Sequence, residues 1–219
     1  MFKGVKAVLF DLDGTLIDSA PDLAGAANAL RAERGLDPLP LGQLRPWVGA
    51  GARGMLAAGL DLHPQHPDFE PLKHRFLALY EDRLLQETRP FEGVPELLAG
   101  LVQRGLHWGI VTNKAERFTL PIHRGLSLLQ GAAAVVGGDT TPHAKPHPEP
   151  LLAACARMGL SPGECIYVGD DLRDIQAAQA ACMGSVAVRW GYLGFQADVQ
   201  AWGADHVIEE PHALLALLA

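Results

Sequence analysis

Short apolar runs that alternate with helical segments most restrict the fold of this 219-residue sequence. Each run is only five or six residues long, which is typical of a strand buried on both faces of a parallel sheet. Strands that alternate with helices along the chain build a doubly wound sheet. The runs cover 5–10, 107–112, 132–136, 164–168 and 184–188, and the later ones are separated by helical segments at 94–104, 115–124, 148–158 and 171–181. The sequence therefore predicts an α/β fold with a doubly wound parallel sheet.

Residues 20–88 interrupt this alternation. They show helical periodicity without a strand-like run, and pairs of prolines divide them into several helices. We predict that this stretch is a helical cap domain, 18–89, inserted into an α/β core domain formed by 1–17 and 90–219. The chain would pass between the two domains at hinges near 17–20 and 87–92.

Charge and cysteine content limit the partners. The chain has 18 basic and 25 acidic residues, a formal net charge of −7, so it lacks the broad cationic surface that nucleic acid or anionic lipid requires. Its first apolar run ends at Phe10, too early for an export signal or a membrane span. Three cysteines without a C-x-x-C pair fit a reducing compartment. We expect a cytoplasmic protein with no nucleic-acid or membrane partner.

Two carboxylates follow the first predicted strand, in FDLDGTLIDS. Asp11 and Asp13 stand two residues apart in extended chain, so their side chains project to the same side. Because like charges this close oppose joint ionisation, the pair needs a cation or a shared proton. Ordinary turn chemistry at Asp13-Gly14 is the alternative. Asp18 and Ser19 are better explained as the start of a helix, with Ser19 as its N-cap and Asp22 in its first turn.

Polar residues also follow later strands. Thr112 and Asn113 end the run HWGIVT, at the sheet edge where ligands of open α/β folds bind. Asn113 has a second interpretation as the cap of the helix that starts at Ala115. Lys145 opens a proline-rich connection, AKPHPEP, at the same predicted edge, where the prolines restrict its motion. A lone loop lysine is otherwise usually solvated.

A second set of carboxylates lies in YVGDDLRDI. Asp170 ends a predicted strand, where it could face Asp11 and hold Mg²⁺, an ion that prefers carboxylate oxygens. Asp171 is better explained as a helix N-cap, and Asp174 fits either a cap or a ligand. The histidine pairs His63/His66 and His143/His147 stand in proline-rich segments without the helical H-E-x-x-H pattern of zinc hydrolases, which favours exposed loop histidines over metal ligands.

The four motifs DLDGTLID, VTNK, KPHPEP and VGDDLRDI, in this order, resemble those of the haloacid dehalogenase superfamily of phosphohydrolases. The resemblance spans almost the whole chain, including the cap, and implies a Rossmann-like core. It is closest to the phosphoglycolate phosphatase-like group, on the segment RPWVGAG (45–51). The segments GARGM, FEGVPELL, VGDDLRDI, AVRWGY and WGAD are instead similar to N-acetylmuramic acid 6-phosphate phosphatases.

This resemblance implies a role for each motif. Asp11 would be the nucleophile that becomes an aspartyl phosphate, and Asp13 the acid that protonates the leaving oxygen and then activates water. Mg²⁺ would be held by the Asp11 carboxylate, the Asp13 backbone carbonyl and Asp170. Thr112 and Lys145 would bind the phosphoryl group, with Asn113 beside them. The partner would be a small phosphorylated substrate, and the enzyme a monomer or homodimer.

The substrate would be selected in the cap, because the core motifs contact only the phosphoryl group. Arg53, in GAGAR, carries a planar donor group suited to a carboxylate, although a solvated helix position explains it equally well. A sugar phosphomutase would share all four motifs and remains an alternative. A non-catalytic phosphate-binding regulator is another, which the presence of both Asp11 and Asp13 argues against. A dehalogenase would not need Asp13, and a phosphonate hydrolase would need a reactive cap lysine, for which Lys73 is the sole candidate in the cap.

Overall fold

The structure is a computed structural model that describes residues 1–195 and 198–219. Its strands are β1 (Ala7–Phe10), β2 (Ile17–Asp18), β3 (Arg89–Pro90), β4 (His107–Val111), β5 (Ala134–Val136), β6 (Cys165–Gly169), β7 (Gly184–Val188) and β8 (His206–Ile208). Its α-helices are α1 (Ala20–Glu33), α2 (Leu41–Leu44), α3 (Gly51–Leu60), α4 (Phe69–Glu81), α5 (Val94–Gln103), α6 (Glu116–Gly125), α7 (Glu149–Met158), α8 (Leu172–Ala180) and α9 (Ala213–Ala216). Short 3₁₀ helices occupy Arg45–Ala50, Ser127–Gly131, Pro162–Glu164 and Val199–Trp202.

The chain divides into two compact units, and within the described residues it passes between them at Ile17–Asp18, Arg89–Pro90 and Gly191–Tyr192. The first unit contains the amino-terminal segment and most of the chain after Pro90. The second contains Asp18–Arg89 and a short segment that begins at Tyr192. This last segment belongs to the helical unit although it is distant from the other residues of that unit in the sequence.

The first unit contains a six-stranded sheet in the order β5-β4-β1-β6-β7-β8, and every neighbouring pair is parallel. The predicted doubly wound parallel sheet is therefore confirmed. All four residues of β1 and all five of β6 are buried, as expected for strands covered on both faces. Strand β8 was not expected, because Val207 and Ile208 are its only apolar residues and the polar residues His206 and Glu209 flank them.

The strand order reverses beside β1, which pairs with β4 on one side and β6 on the other. In open α/β sheets such a switch point leaves a crevice beyond the carboxyl ends of the strands, and ligands bind there. The three strands that meet at this point are those that end in Asp11, Thr112 and Asp170. The topology therefore places the main motifs of the sequence around one crevice.

The second unit is helical. Helix α1 contacts both α3 and α4, and side chains from all three are fully or almost fully buried, among them Leu30, Met55, Leu56 and Phe76. No strand occurs in the described residues between 20 and 88. The longest helices of the structure are too short and too polar to cross a membrane over the described part of the chain.

Helix α1 begins where the sequence predicted, but its start is held differently. Ser19 is the N-cap residue, yet its side chain makes no capping hydrogen bond. The hydroxyl of Tyr192 instead accepts hydrogen bonds from the Ser19 and Ala20 amides, at 2.8 and 2.9 Å, and donates to Asp18. Asp22 turns away from the cap and accepts hydrogen bonds from the Glu87 and Thr88 amides and the Thr88 hydroxyl. The prediction of Ser19 side-chain capping is therefore wrong.

Candidate active site

Asp11 stands at the carboxyl end of β1, where the sheet fixes its backbone. Its amide donates to the carbonyl of Val168 on β6 at 2.9 Å, which continues the parallel ladder by one residue. Its side chain is only 15% exposed and points to the edge of the sheet that also carries Thr112 and Asp170. A carboxylate in this position is close enough to interact electrostatically with charged side chains at the ends of the neighbouring strands.

Lys145 is the buried cation of the site, with a side chain only 2% exposed. Its ammonium group lies 3.1 Å from Asp11 Oδ1 and 2.7 Å from Asp174 Oδ1. It also donates to the hydroxyl of Tyr167 at 2.7 Å and to the carbonyl of Val111 at 3.0 Å. Burial alone would lower the pKa of Lys145, but Asp11 and Asp174 outweigh it and the pKa is raised, so the amine stays protonated.

A metal site can be formed at this cluster by three carboxylates. One oxygen from each of Asp11, Asp170 and Asp174 can be chosen so that all lie within 4.8 Å of one another. When ionised, these groups and Lys145 together carry a net charge of −2. Carboxylate oxygens are the ligands that Mg²⁺ prefers, and the excess negative charge suits a divalent cation. The donor set and the charge therefore fit Mg²⁺.

Asp174 caps α8, one of the two roles that the sequence left open, and it also contacts the buried ammonium of Lys145. Its Oδ2 accepts a hydrogen bond from the Asp171 amide, which completes a capping box at the start of α8, while its Oδ1 contacts Lys145. Burial raises the pKa of Asp174 to about 7, and Asp11 adds to the effect while Lys145 opposes it. The signal in the sequence was its spacing of four residues from Asp170, which places it on the first turn of the helix.

Asp171 caps α8, as predicted. Its side chain accepts a hydrogen bond from the Arg173 amide at 2.8 Å and forms an ion pair with the Arg173 guanidinium at 2.6 Å. Burial tends to raise the pKa of Asp171, but Arg173 outweighs it and the pKa is lowered. Both of its oxygens are engaged by Arg173, which directs this carboxylate to its own helix rather than to the acidic cluster.

Asp170 is held by small residues and a hydroxyl. Thr15 donates to Asp170 Oδ1 at 2.8 Å. Gly14 has a φ of +88°, and a Cβ added there would overlap the Asp170 carboxylate. A Cβ at Gly191 would overlap the Asp170 side chain and the Gly14 carbonyl. Gly14 and the distant Gly191 therefore leave the space that the Asp170 side chain occupies, because neither carries a side chain.

Asp13 pairs with a residue that sequence reasoning did not select. The Lys114 ammonium lies 2.9 Å from Asp13 Oδ2 and 3.2 Å from Oδ1, and both side chains are mostly buried. The available signal was the position of Lys114, which follows Thr112-Asn113 at the same sheet edge. This ion pair places Asp13 close to a positive charge of its own, separate from the one at Lys145.

Asn113 does not cap the following helix. Helix α6 has Ala115 at its N-cap and no side-chain capping bond. The Asn113 amide group instead donates to the Lys145 carbonyl and accepts from the Lys145 amide, both at 2.9 Å. Asn113 was predicted to bind substrate, and the structure shows that its side chain holds the backbone on both sides of Lys145. Thr112 is buried at the end of β4, and its hydroxyl accepts a hydrogen bond from the Lys114 amide.

Arg53 lies in the other unit, on α3, and is exposed. The nine histidines contribute no ligand to the acidic cluster among the described residues. His143 and His147 are exposed loop residues, as expected.

Comparison with known proteins agrees with this geometry. A family model described as "Haloacid dehalogenase-like hydrolase" matches residues 8–188. A phosphoglycolate phosphatase of Xanthomonas campestris is 48% identical over 209 residues, which are 95% of this chain and 94% of that protein. An N-acetylmuramic acid 6-phosphate phosphatase of Pseudomonas aeruginosa is 42% identical over 214 residues, 98% of this chain and 95% of that protein.

Solved structures give the same result for the fold. The crystal structure of a predicted phosphoglycolate phosphatase from Haemophilus somnus 129pt superposes with a TM-score of 0.85 at 28% identity, and the match covers 98% of each chain. Both groups of relatives that the sequence resembles are thus found among its similar proteins.

Proposed function

The chain belongs to the haloacid dehalogenase-like hydrolases and is a phosphatase of that family, and we propose that it hydrolyses its phosphomonoester with Mg²⁺ through an aspartyl phosphate on Asp11. One observation carries the proposal: a strand-end carboxylate, Asp11, lies against a buried ammonium and two further carboxylates that together fit a divalent cation. Phosphoryl transfer depends on such positioning and neutralisation of oxygen charge.

The hydrogen bonds of Asp11 support its role as nucleophile. The Leu12 amide donates to Asp11 Oδ1 at 2.7 Å, and the Lys145 ammonium contacts the same oxygen. Within the described part of the chain, Oδ2 accepts no hydrogen bond, so this oxygen is the one available for attack on phosphorus. The two contacts to Oδ1 fix the orientation of the carboxylate, which reduces the entropy cost of reaching an in-line geometry.

Asp13 is proposed to transfer the proton. It would protonate the leaving oxygen in the first step and accept a proton from water in the second. The Lys114 ammonium lies 2.9 Å from Asp13 Oδ2 and holds this carboxylate in position. Asp13 stands two residues from Asp11, in a turn closed by hydrogen bonds from the Leu16 and Ile17 amides to the Leu12 carbonyl, so the two carboxylates are held on one short segment.

Neutralising the acidic cluster would allow a phosphate group to approach Asp11. Lys145 offsets part of the negative charge of the nucleophile and of Asp174, and a bound Mg²⁺ would supply the remaining neutralisation through Asp11, Asp170 and the Asp13 backbone carbonyl. Thr112 would donate its hydroxyl to a phosphoryl oxygen. Asn113 contributes by holding the backbone of Lys145.

We further propose that the substrate is a small phosphorylated metabolite with a carboxylate. The names of the similar proteins support this, because phosphoglycolate and N-acetylmuramic acid 6-phosphate both contain one. Arg53 is the proposed contact for that carboxylate, since a guanidinium binds planar anions through two donors. Three free cysteines support action in a reducing compartment such as the cytoplasm. The proposed assembly is a monomer or homodimer.

Phosphate release from the two carboxylated substrates, with and without Mg²⁺, tests the proposal. We expect release that requires Mg²⁺ and is lost in Asp11→Asn, and we expect intact-protein mass spectrometry to trap one phosphoryl group on the wild type but not on this variant. Turnover by Asp11→Asn, after deamidation is excluded, would rule out the covalent mechanism. Isomerised product from a hexose 1-phosphate, without free phosphate, would instead identify a phosphomutase.

A further inference from the structure

A cluster of metal-binding side chains lies outside the acidic site, on the loop that carries Lys145. We propose that His143, His147 and Glu149 form a second metal site, specific for a divalent transition metal such as Zn²⁺. One ligand atom from each residue can be chosen so that all three lie within 4.8 Å of one another. The site shares no residue with the acidic cluster and does not depend on the proposed catalytic mechanism.

The distances already approach those of a coordinated ion. Glu149 Oε2 lies 2.7 Å from His143 Nδ1 and 3.8 Å from His147 Nδ1, and the two imidazole rings stack with centroids 4.3 Å apart. Ligands bound to zinc at about 2.0–2.2 Å in tetrahedral geometry lie about 3.3–3.6 Å from one another. Changes of about 1 Å or less in these two distances, within the range of side-chain rotations, would bring Glu149 to zinc-binding separations from both histidines. The ligand atoms of the two histidines already lie within 4.8 Å of each other.

Solvent exposure permits those rotations. The side chains of His143, His147 and Glu149 are 61%, 49% and 35% exposed. The Glu149 amide donates to His147 Nδ1 at 3.2 Å, a long hydrogen bond that a metal would replace if it binds that nitrogen. Three protein ligands with a solvent-facing side leave room for water at the remaining coordination position, as in open zinc sites.

The backbone that carries the ligands is held in place. The Thr141 hydroxyl donates to the His143 carbonyl at 2.8 Å, and the His147 amide donates to the Ala144 carbonyl at 3.0 Å. The Asn113 side chain forms hydrogen bonds with both the amide and the carbonyl of Lys145. Prolines at 142, 146, 148 and 150 restrict φ along the same stretch. Little chain entropy would be lost when the metal binds, because the loop is ordered beforehand.

The ligand types separate this site from the magnesium site. Two imidazoles and one carboxylate suit Zn²⁺, Cu²⁺ or Ni²⁺, whereas Mg²⁺ prefers oxygen ligands alone. Lys145 stands between the two histidines in the sequence, and Glu149 is the first residue of α7. A bound ion would thus cross-link the loop around Lys145 to the start of that helix.

Calorimetric titration with Zn²⁺ in saturating Mg²⁺ tests the proposal, since the Mg²⁺ occupies the oxygen-rich cluster. We expect one Zn²⁺ per chain in the wild type, and affinity at least about tenfold weaker in His147→Ala and in Glu149→Gln. The matched control is His212→Ala, because His212 is an exposed histidine that also contacts a glutamate, Glu210, at 2.9 Å. This control should bind Zn²⁺ as the wild type does.

Hydrogen exchange provides a second readout that does not depend on activity. Added Zn²⁺ should slow amide exchange over residues 143–149 in the wild type and in His212→Ala, but not in His147→Ala. Circular dichroism should show that all variants fold, as expected for substitutions at exposed positions. Wild-type Zn²⁺ affinity in both ligand variants, or no stoichiometric Zn²⁺ binding by the wild type, would overturn the proposal.

Discussion

Replacing Lys145 with methionine tests the electrostatic account of the candidate active site. The substitution keeps most of the side-chain volume and removes the charge that lies between Asp11 and Asp174. The two carboxylates would then face each other in a buried site without a cation. We predict that metal-free Lys145→Met is much less stable than the metal-free wild type at pH 8, and that the difference shrinks at low pH.

The magnitude follows from the burial of the ion pair. Removing one partner of a buried pair leaves an uncompensated charge and costs about 3–5 kcal/mol of folding free energy. For a chain of this size, a loss of 1 kcal/mol lowers the melting temperature by about 2–4 °C. We therefore expect Lys145→Met to melt about 6–20 °C below the wild type at pH 8.

The pH dependence has a defined sign. The pKa of Asp174 is raised to about 7 in the folded protein, above its unfolded value of 3.8, so the folded state binds more protons between these two values. Its contribution to stability is therefore greatest at low pH and is lost as the pH rises through about 7. Because Lys145 opposes this rise in pKa, its removal raises the pKa of Asp174 further. At pH 5 the carboxyl group is neutral, and the missing ammonium costs less.

Thermal unfolding of the metal-free proteins at pH 5 and pH 8 measures both effects. Lys73→Met is the matched control, since Lys73 pairs with Glu70 on the surface at 2.8 Å, and exposed pairs contribute about 0–1 kcal/mol. A loss in Lys145→Met no larger than in this control, or a loss of equal size at both pH values, would refute the reasoning.

Three further predictions concern activity. Tyr167→Phe removes the hydroxyl that lies between the buried ammonium of Lys145 and the backbone carbonyl of Val111. We expect kcat to fall about tenfold, with a smaller change in KM. If the role of this hydroxyl were purely structural, only the free energy of unfolding would fall, by about 0.5–1.5 kcal/mol, and with it the melting temperature. Asp170→Asn should raise the Mg²⁺ concentration for half-maximal activity far more than Asp171→Ala, measured by titration, and the reverse order would reassign the ligand. Arg53→Ala should lower kcat/KM for a carboxylated substrate by one to two orders of magnitude, consistent with the loss of a charge-assisted hydrogen bond of about 1.5–3 kcal/mol. The kcat/KM for p-nitrophenyl phosphate, which has no carboxylate, should stay nearly unchanged. Equal losses on both substrates would exclude recognition of the carboxylate by Arg53.

Elements of the fold that depend on local sequence pattern could be predicted. Strands β1, β4, β6 and β7 agree with the apolar runs within two residues, because strands buried on both faces need consecutive apolar side chains. Helices α5 to α8 agree equally well. Strand β8 could not be found in this way, since Val207 and Ile208 are its only apolar residues. Strand β5 is equally short, but it lies within the apolar run 132–136.

Contacts between distant residues decided the cases in which local interpretation was wrong. Asn113 has the residue type and position of a helix cap, but its side chain is used by the backbone of Lys145, 32 residues further along the chain. Ser19 has the same appearance, but the hydroxyl of Tyr192 takes over its capping role. In both cases the hydrogen-bond partner lies far away in the sequence: the backbone of Lys145 for the Asn113 side chain, and the Tyr192 hydroxyl for the amides at the start of α1. A local sequence pattern carries no information about such a partner.

The charges of the site give a physical reason for the proposed dependence on a cation. Asp11, Asp170 and Asp174 outnumber the single ammonium of Lys145, while Asp13 is already balanced by Lys114. A phosphate dianion that approached the cluster with all three carboxylates ionised would meet a net charge of −2 in a mostly buried setting, where repulsion is poorly screened. A divalent cation brings that sum to zero. The proposed phosphatase chemistry therefore requires the metal for substrate approach as well as for phosphoryl transfer, since Lys145 alone cannot offset both the nucleophile and its neighbours.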